Sequence, residues 1–420
     1  MEISEKALKF IQEHAKDDVN ALRLKFGGKS QQMDFSLEFA LLQIEARRKA
    51  QTKIPSFLEH PLFVFPDTIS AEQASNEIIA LFHASQLPIG STILDLTAGL
   101  GIDDLTFAKR GINVTACEIN EIKYEALKHN IQQLGLANRV AVINVDSIAY
   151  IRDCSKKFDF VFADPARRSI TGKRLHSLSD CQPDIMSAMK DILNVTNRIL
   201  IKSSPLLDLT FIRDTVSDLR HIYVVCLKGE CKEVLIDIEK GSEFSGVTVV
   251  DLDSQKTISK FECTFMPVTN EYYPSFVSKD KPTDYMYLYE PNAGVMKTGA
   301  WGELSMLFPN LRKADSNTHL FLSDSLIEGF PGRTLTISGQ PDKKALKALK
   351  GTNCNVVVRN YTMSAQEVAK KYSLIPGGDR FLYAFRYKGK PVCLIAEPLR
   401  KTLKVQEQRN QTTEPLSLTD

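Results

Sequence analysis

The stretch TILDLTAGLGIDD, residues Thr92–Asp104, decides the fold of this chain. Its apolar residues predict a strand that ends at Asp95, and a tight turn with Gly99 and Gly101 leads into a helix. Glycine is needed where the backbone takes a positive φ or approaches a bound ligand closely. In open α/β sheets, a loop of this kind at the carboxyl end of the first strand binds nucleotides. The stretch therefore predicts a nucleotide site, although two turn glycines alone are weak evidence.

Around this loop, short apolar runs alternate with helical segments, which predicts a parallel, doubly wound sheet in a Rossmann-like α/β core. The last two runs are separated only by KGECKE, which is short enough for a hairpin and predicts an antiparallel strand at the sheet's end. The predicted strands are Ile93–Leu96, Val114–Cys117, Val140–Val145, Phe158–Ala163, Ile199–Lys202, Ile222–Leu227 and Val234–Ile238.

The remainder of the 420 residues divides by composition and periodicity. Amphipathic helices are predicted before the core; LEHPLFVFPD interrupts them, and a helix resumes over Ala71–Ser85. Two small α+β patterns and a polar tail with the composition of a disordered segment follow the core. The predicted domains are an N-terminal helical region at 1–90, the core at 91–240, α+β domains at 241–332 and 333–400, and a disordered tail at 401–420.

Acidic residues follow the first three predicted strands: Asp95, Glu118 and Asp146. Because the carboxyl ends of parallel strands share one edge of the sheet, these side chains are expected to lie together. Glu118 is placed to accept both hydrogen bonds of a ribose diol, and Asp146 lies where an adenine amino group would sit. Each acid also has a structural interpretation, as a helix cap or an exposed residue. Their coincidence favours a nucleoside site.

A nicotinamide-dependent dehydrogenase is the main rival interpretation. It requires a third glycine, in the pattern G-x-G-x-x-G, to close the helix against the strand. Asp104 occupies that position here, and the strand before the loop ends in Asp95. An acid beside the loop suits the cationic methionine moiety of S-adenosylmethionine better than a pyrophosphate. Both details favour S-adenosylmethionine as the cofactor.

The fourth predicted strand ends in FDFVFADPARR, which places Asp164 and Pro165 at the same edge. Together with the glycine loop and the acids, this motif resembles class I S-adenosylmethionine-dependent methyltransferases. Their fourth strand carries [D/N]-P-P-x when they methylate nitrogen, and D-P-P-R occurs in several RNA-modifying members. This sequence departs from the pattern at Ala166, which replaces the second proline, and at Arg167, where an aromatic side chain often stacks on the base.

The resemblance implies that the first loop holds the methionine end of the cofactor and that the fourth-strand motif faces the target nitrogen. The implied cofactor-binding residues are Gln73, Ser75, Asp95, Thr97, Gly99, Gly101, Asp103, Glu118 and Asp146, with Gln73 and Ser75 on a helix before the first strand.

Catalytic roles are expected for Asp164, Pro165 and Arg167. Asp164 could accept an N–H of the target, Pro165 fixes the turn, and a flat guanidinium can stack on a base or hold a phosphate. An Asp before Pro is also a common turn residue. The expected substrate-binding residues are Arg168, Lys173 and Arg174 in a basic loop, which could equally be an ordinary exposed loop, and Lys202 and Ser204 after the fifth strand.

Other classes of function are disfavoured by composition. The eight cysteines are scattered, without a C-x-x-C pair or a His at ligand spacing, so neither a metal site nor a disulfide framework is expected. A covalent mechanism would need a nucleophilic Cys near Ala166 or Ser204, and Cys181 has no evident base. The chain shows no signal-peptide pattern and no apolar run long enough to span a membrane, so a cytoplasmic protein is expected.

Two C-terminal segments, EPNAGVMKTGAW at 290–301 and NVVVRNYTMSAQEVAKKYSLIPGGDRFLYAF at 355–385, carry a further resemblance. They resemble, in this order, the ferredoxin-like and THUMP-like domains that accompany a bacterial branch of these methyltransferases. THUMP domains bind RNA, so the resemblance implies N-methylation of a base in structured RNA, either tRNA or rRNA. Residues 342–409 contain fifteen Lys or Arg against five Asp or Glu, which agrees with binding to phosphates. A small-molecule or protein methyltransferase and a non-catalytic protein that binds cofactor and RNA stay open as alternatives. The oligomeric state is not indicated.

Overall fold

The computed structural model of the protein describes residues 3–167, 181–253, 258–265 and 274–399. The chain forms two compact units. The first unit holds residues 1–225 and 232–245, and the second holds residues 226–231 and 246–420. The predicted disordered tail at 401–420 lies outside the described residues, and the predicted domain boundaries stay a prediction.

The first unit begins with helices, as predicted. The side chains of Ser4, Asp18 and Ser36 each accept a backbone N–H of the first turn and so fix the start of a helix. Apolar faces of these helices meet in a common cluster around Leu41 and Ile44. The helices are α1 (Glu5–Glu13), α2 (Val19–Phe26), α3 (Leu37–Ala50), α4 (Pro55–Leu58), α5 (Thr68–Gln73) and α6 (Glu77–Ser85).

The continuous helix that was predicted over Ala71–Ser85 is wrong. The backbone of Ala74 leaves the helical region, with ψ at 136°, and α5 ends before it. Asn76 then starts α6 by accepting the N–H of Ile78 at 2.9 Å. The helical periodicity continues through this break, so a local pattern could not reveal it. Ser75 consequently lies in the connection between two helices.

Seven strands of the first unit form a sheet in the order β8-β9-β7-β4-β1-β2-β3. The predicted doubly wound parallel sheet is confirmed, because β1, β2, β3, β4 and β7 all pair in parallel. The antiparallel strand is β9, which lies between β7 and its own hairpin partner β8. The strands are β1 (Thr92–Asp95), β2 (Asn113–Cys117), β3 (Val140–Ile143), β4 (Phe160–Ala163), β7 (Arg198–Ser203), β8 (Leu219–Leu227) and β9 (Glu230–Glu239), with the short pair β5 (Ala166–Arg167) and β6 (Cys181–Gln182).

Helices cover this sheet, and its central strands are buried. Ile93, Leu94, Val161 and Ile199 have no exposed surface, as expected of a parallel sheet covered on both faces. The chain leaves β1 toward β2 on one side and returns to β4 on the other, which makes the β1–β4 boundary the switch point where open sheets bind ligands. The helices are α7 (Ile102–Lys109), α8 (Glu121–Gln133), α9 (Ser147–Asp153), α10 (Ile185–Val195) and α11 (Leu209–Thr215).

The second unit contains an antiparallel strand pair, β10 (Val247–Leu252) and β11 (Ile258–Cys263), and a seven-stranded sheet in the order β13-β14-β12-β15-β18-β17-β16. Leu288, Leu322 and Phe385 belong to its buried core. The segments predicted as separate α+β patterns share this sheet, because β12 pairs with β15. The remaining elements are β12 (Tyr287–Pro291), α12 (Ala293–Thr298), α13 (Trp301–Leu307), β13 (Arg312–Asp315), β14 (Thr318–Ser323), β15 (Gly332–Gly339), α14 (Lys343–Ala348), β16 (Asn355–Arg359), α15 (Ala365–Tyr372), β17 (Phe381–Tyr387) and β18 (Lys390–Pro398).

Across the described ranges, no helix combines the length and the apolar character that crossing a membrane requires.

The two ends of β15 provide a test of the second sheet. A Cβ on Gly332 would lie 2.2 Å from the carbonyl oxygen of Glu290 on the neighbouring strand, whereas a Cβ on Gly339 would meet no atom within 4 Å. We expect Gly332→Ala to lower the free energy of unfolding by about 2 kcal/mol through overpacking. Gly339→Ala, the matched control, should change it by less than about 0.5 kcal/mol. Calorimetry of the full chain measures both, and equal effects would contradict the described pairing of β12 and β15.

Candidate active site

A cavity of about 570 Å³ opens at the carboxyl ends of β1, β2 and β4. Its volume lies within the range of small-molecule sites in proteins. Every residue that was predicted to bind the cofactor lines it, and so does Asp164. The predicted residues that meet here are Gln73, Ser75, Asp95, Thr97, Gly99, Gly101, Asp103, Glu118 and Asp146.

The glycine loop between β1 and α7 is shaped by backbone geometry and close packing. Gly99 and Gly101 have φ of +58° and +79°, which glycine adopts without strain. A Cβ on Gly101 would lie 2.2 Å from the Leu127 side chain on α8. Thr97 joins the loop to β4, because its hydroxyl donates to Asp95 at 3.2 Å and accepts the N–H of Asp164 at 2.6 Å. The loop is thus held in place at both ends.

Glu118, at the end of β2, is tied to this loop. Its two oxygens accept the backbone N–H groups of Gly99 at 2.8 Å and of Asn120 at 2.7 Å. An ionised carboxylate has about four lone-pair sites, so two further donors, such as a diol, can still be accommodated. Asp146 caps α9 by accepting two backbone N–H groups at 2.9 and 3.0 Å. Both acids therefore fulfil a structural role while lining the cavity.

Asp95 and Asp104 form a buried acidic pair beneath the cavity. Asp95 is 2% exposed and Asp104 is fully buried, and the two carboxyl groups interact directly with each other. Burial raises the pKa of Asp95 to about 7, and the charge of Asp103 adds to the rise. Burial, with the charges of Asp95 and Asp103, raises the pKa of Asp104 well above its ordinary value. A cation bound here would relieve this repulsion.

A ring of polar side chains extends from the cavity into the protein. Ser75 donates to Asp103 at 2.6 Å, and the other Asp103 oxygen lies 2.8 Å from Nδ1 of His83. Nε2 of His83 contacts Glu233 on β9, whose second oxygen lies 3.9 Å from the ammonium of Lys202. Lys202 closes the ring by donating to Ser75 at 2.9 Å.

The opposite charges within this ring stabilise the ionised forms of its members. Burial alone would lower the pKa of His83, but Glu233 and Asp103 raise it to about 10, so the imidazole is a cation at neutral pH. Burial likewise opposes ionisation of Asp103, yet His83 and Lys202 lower its pKa to about 2. With both ring nitrogens of His83 protonated, each acts as a donor to a carboxylate.

Asp164 stands where two cavities meet. Besides lining the large cavity, it lines a second cavity of about 170 Å³ together with Pro165, Lys202, Ser204 and other residues of the first unit. Its Oδ2 accepts a hydrogen bond from Lys202 at 2.6 Å. Among the predicted catalytic and substrate-binding residues, Arg167 contributes its backbone to β5, whereas Arg168, Lys173 and Arg174 lie outside the described residues.

His83, Glu233 and Asp104 are site residues that were not predicted from the sequence. His83 and Glu233 are 150 positions apart and share no motif. The sequence offered only weak signs of their role. Glu233 begins the apolar strand EVLIDI, and His83 lies within the apolar helix EIIALFHAS. Ile119, which is 69% exposed, and Lys123 also line the large cavity. In the described parts of the chain, no group of three or more His, Cys, Asp or Glu side chains is arranged to hold a metal ion.

Three family profiles match consecutive parts of the chain. The profile of RNA cap guanine-N2 methyltransferases matches residues 90–236. A ferredoxin-like domain matches residues 287–331, and a THUMP domain-like family matches residues 334–398.

Individual relatives are similar to parts of the chain or to all of it. A tRNA1(Val) (adenine(37)-N6)-methyltransferase from Histophilus somni (strain 2336) is 31% identical over 121 residues, which cover 26% of this chain and 51% of that protein. A ribosomal RNA small subunit methyltransferase J from Francisella tularensis is 42% identical over 81 residues, which cover 18% of this chain and 34% of that protein. The chain thus spans about half the length of the first relative and about a third of the length of the second.

A solved structure resembles nearly the entire chain. It belongs to a Porphyromonas gingivalis W83 protein with the provisional description of methyltransferase, and it superposes with a TM-score of 0.79 at 24% identity. The likeness covers 95% of this chain and 100% of the other and shows a common fold.

Residues 90–236, which contain the sheet strands that line the cavity, are thus similar to a methyltransferase domain. In this chain, the methyltransferase domain is followed by a ferredoxin-like domain and a THUMP-like domain, as the sequence resemblance predicted.

The buried acidic pair predicts a pH-dependent stability. Because the folded pKa values of Asp95 and Asp104 are raised, the folded state keeps protons that the unfolded chain releases above about pH 4. The free energy of unfolding should therefore fall as pH rises toward 7. Asp104→Asn removes one of the two ionisable groups. Between pH 5 and pH 8, the free energy of unfolding of the variant should therefore fall less than that of wild type, by on the order of 1–2 kcal/mol.

Thermal denaturation at the two pH values measures this difference. Asp153→Asn, a substitution at an exposed position on α9, is the control and should follow wild type at both pH values. Identical pH dependence of wild type and Asp104→Asn would show that the pair carries no ionisation cost.

Proposed function

We propose that this chain is an S-adenosylmethionine-dependent methyltransferase that methylates a nitrogen of a base in structured RNA, either tRNA or rRNA. The observation that carries the proposal is the position of Asp164, at the meeting point of a large acidic cavity and a smaller second cavity. Such a position lets one carboxylate face both a methyl donor and an acceptor.

The large cavity fits the cofactor chemically. S-adenosylmethionine carries a cationic sulfonium and an ammonium group, and the sulfonium supplies an activated methyl group. Asp103 is ionised at neutral pH and Asp95 titrates near it, so the loop end of the cavity favours cations. The carboxyl of Asp104, paired with Asp95, adds a second buried acid at this end of the cavity. Glu118 and Asp146 would hold the ribose and the adenine amino group.

The chemistry asks the protein chiefly for positioning, because the methyl group is already activated. Lys202 occupies Oδ2 of Asp164, and Oδ1 has no hydrogen bond to the described residues. Oδ1 can therefore accept an N–H of the target nitrogen and aim its lone pair at the methyl group. When the N–C bond forms and the S–C bond breaks, the nitrogen must lose a proton, which Asp164 can accept and pass to solvent. Pro165 fixes the turn that presents this carboxylate.

RNA as the substrate is supported by several independent features. Both curated relatives are named as methyltransferases of tRNA or ribosomal RNA, and the C-terminal segment is similar to THUMP domains. Lys343, Lys344, Lys370 and Lys371 are exposed on α14 and α15, where they can contact phosphates. Arg359, in the same basic segment, pairs with Glu290 at 2.6 Å.

Methyl transfer to RNA tests the proposed reaction. With radiolabelled S-adenosylmethionine and total small RNA, wild type should label RNA, and Asp164→Ala should lose at least about 100-fold of the rate, since acid–base groups contribute that much. Asp153→Asn is the control with unchanged activity. Digestion of labelled RNA then identifies the nucleoside. Measurable cofactor binding without any label in RNA would move the assignment to a small-molecule or protein substrate.

Salt dependence tests the interaction with RNA. We expect the double variant Lys343→Gln, Lys344→Gln to weaken RNA binding and to reduce the slope of log affinity against log salt by about 1 for each phosphate that the variant no longer neutralises. Lys16→Gln, at an exposed position of the N-terminal region, should leave the slope unchanged. A double variant that binds with the wild-type slope would show that α14 does not bind phosphate.

A further inference from the structure

The polar ring connects two places that the proposed reaction uses. Ser75 and Asp103 line the large cavity, and Lys202 reaches Asp164. The other two members, His83 and Glu233, are 0% and 4% exposed, and they lie on α6 and β9. A closed set of hydrogen bonds and ion pairs in such a buried place has few alternative arrangements, because any broken bond leaves an unpaired polar group.

The direction of each hydrogen bond is fixed by the donors available. Lys202 can only donate, so it donates to Asp164 and to Ser75. Ser75 has one proton, and because its oxygen accepts from Lys202, it donates to Asp103 at 2.6 Å. The two carboxylates of the ring each accept from one nitrogen of His83. The ammonium is thus held by Ser75 and Glu233 as well as by Asp164.

Lys202 is the cation that balances Asp164. The groups that face Asp164 come from several elements: Lys202 on β7, Asp103 on α7, Glu233 on β9 and the Thr97 hydroxyl after β1. Two of these are carboxylates and disfavour a third negative charge, so the ammonium at 2.6 Å is the group that favours it.

We propose that the ring Ser75–Asp103–His83–Glu233–Lys202 is a positioning device for methyl transfer: it clamps the Lys202 ammonium onto Oδ2 of Asp164, which favours the carboxylate form of this side chain and leaves its Oδ1 for the target nitrogen. Lys202 is thereby a positioning residue and not a ligand of the substrate. The inference rests on the proposed function for the identity of the target, but the clamp itself is a property of these side chains alone.

The electrostatic effects around Asp164 agree with this arrangement. Burial raises the pKa of Asp164, and Lys202 opposes the rise. Burial would lower the pKa of Lys202, but Asp164 and Glu233 raise it above its ordinary value, so the ammonium stays charged. Without Lys202, burial and the two neighbouring carboxylates would act on Asp164 unopposed. A larger fraction of the carboxyl would then be protonated, and the protonated form cannot take up the proton that the target nitrogen loses.

The pH profile of turnover tests the clamp. With both substrates saturating, we expect the acidic limb of kcat in Lys202→Gln to move up by about 1 pH unit or more, as opposite charges shift a neighbouring pKa by that amount. On the acidic limb, the rate of Lys202→Gln should lie about tenfold below that of wild type at the same pH and approach the wild-type rate at higher pH, because one pH unit is a tenfold change in the ionised fraction. Lys202→Arg, which keeps the charge, should retain the acidic limb of wild type.

A merely structural role for Lys202 would lower kcat by the same factor at every pH, and that result would overturn the proposal. Lys190→Gln, on the exposed surface of α10, is the matched control for removal of a lysine charge. Ser75→Ala breaks the ring without changing any charge, so it keeps the test open if Lys202→Gln does not fold. It should move the acidic limb in the same direction by a smaller amount.

A readout independent of turnover separates the clamp from the proposed reaction. With ¹³C-labelled aspartate carboxyls in the full chain without cofactor, the Asp164 signal is identified by its absence in Asp164→Asn. We expect its titration midpoint to lie about 1 pH unit or more higher in Lys202→Gln than in wild type. Unchanged midpoints would refute the clamp even if the enzyme methylates RNA. A shifted midpoint with a wild type that methylates no RNA would refute the proposed function and leave the clamp standing.

Discussion

Crowding of carboxylates at the carboxyl ends of β1, β2 and β4 is the constraint on which the site depends. Asp95, Asp103, Asp104 and Glu118 are all less than 10% exposed, and burial makes each negative charge costly. His83 and Lys202 balance part of this charge from behind. The remainder faces a cavity, where a cationic ligand can balance it. An acidic cavity of this kind suits a sulfonium cofactor and disfavours a pyrophosphate.

The helices before the sheet contribute two polar side chains, Ser75 and His83, to the site. The break between α5 and α6 places Ser75 against Asp103 and Lys202, and α6 buries His83 between two carboxylates. The N-terminal region is therefore part of the site. Because His83 must carry a charge while fully buried, its two ion pairs are needed in the folded state.

Sequence reasoning located residues correctly where their position follows from the end of a strand. Asp95, Glu118 and Asp164 end or follow parallel strands, and parallel strands bring such residues to one edge whatever the rest of the chain does. It failed where tertiary contacts decide. His83 and Glu233 meet through the packing of α6 on a strand 150 residues away, and the break at Ala74 leaves no trace in the helical periodicity. The acidic pair was also not predicted, because Asp104 was used only to exclude the G-x-G-x-x-G pattern and its burial beside Asp95 is a tertiary feature.

A crystal structure of the chain with S-adenosylhomocysteine tests the central claim most directly, since it shows how the cavity is used. The account predicts that the ribose hydroxyls bind Glu118, that the amino-acid end lies beside Asp95 and Asp103, and that the sulfur faces Asp164. In that arrangement, Asp164 would lie between the sulfur that carries the methyl group and the RNA nitrogen that receives it. A ligand bound outside this cavity, or bound with its adenine beside Asp164, would contradict the account.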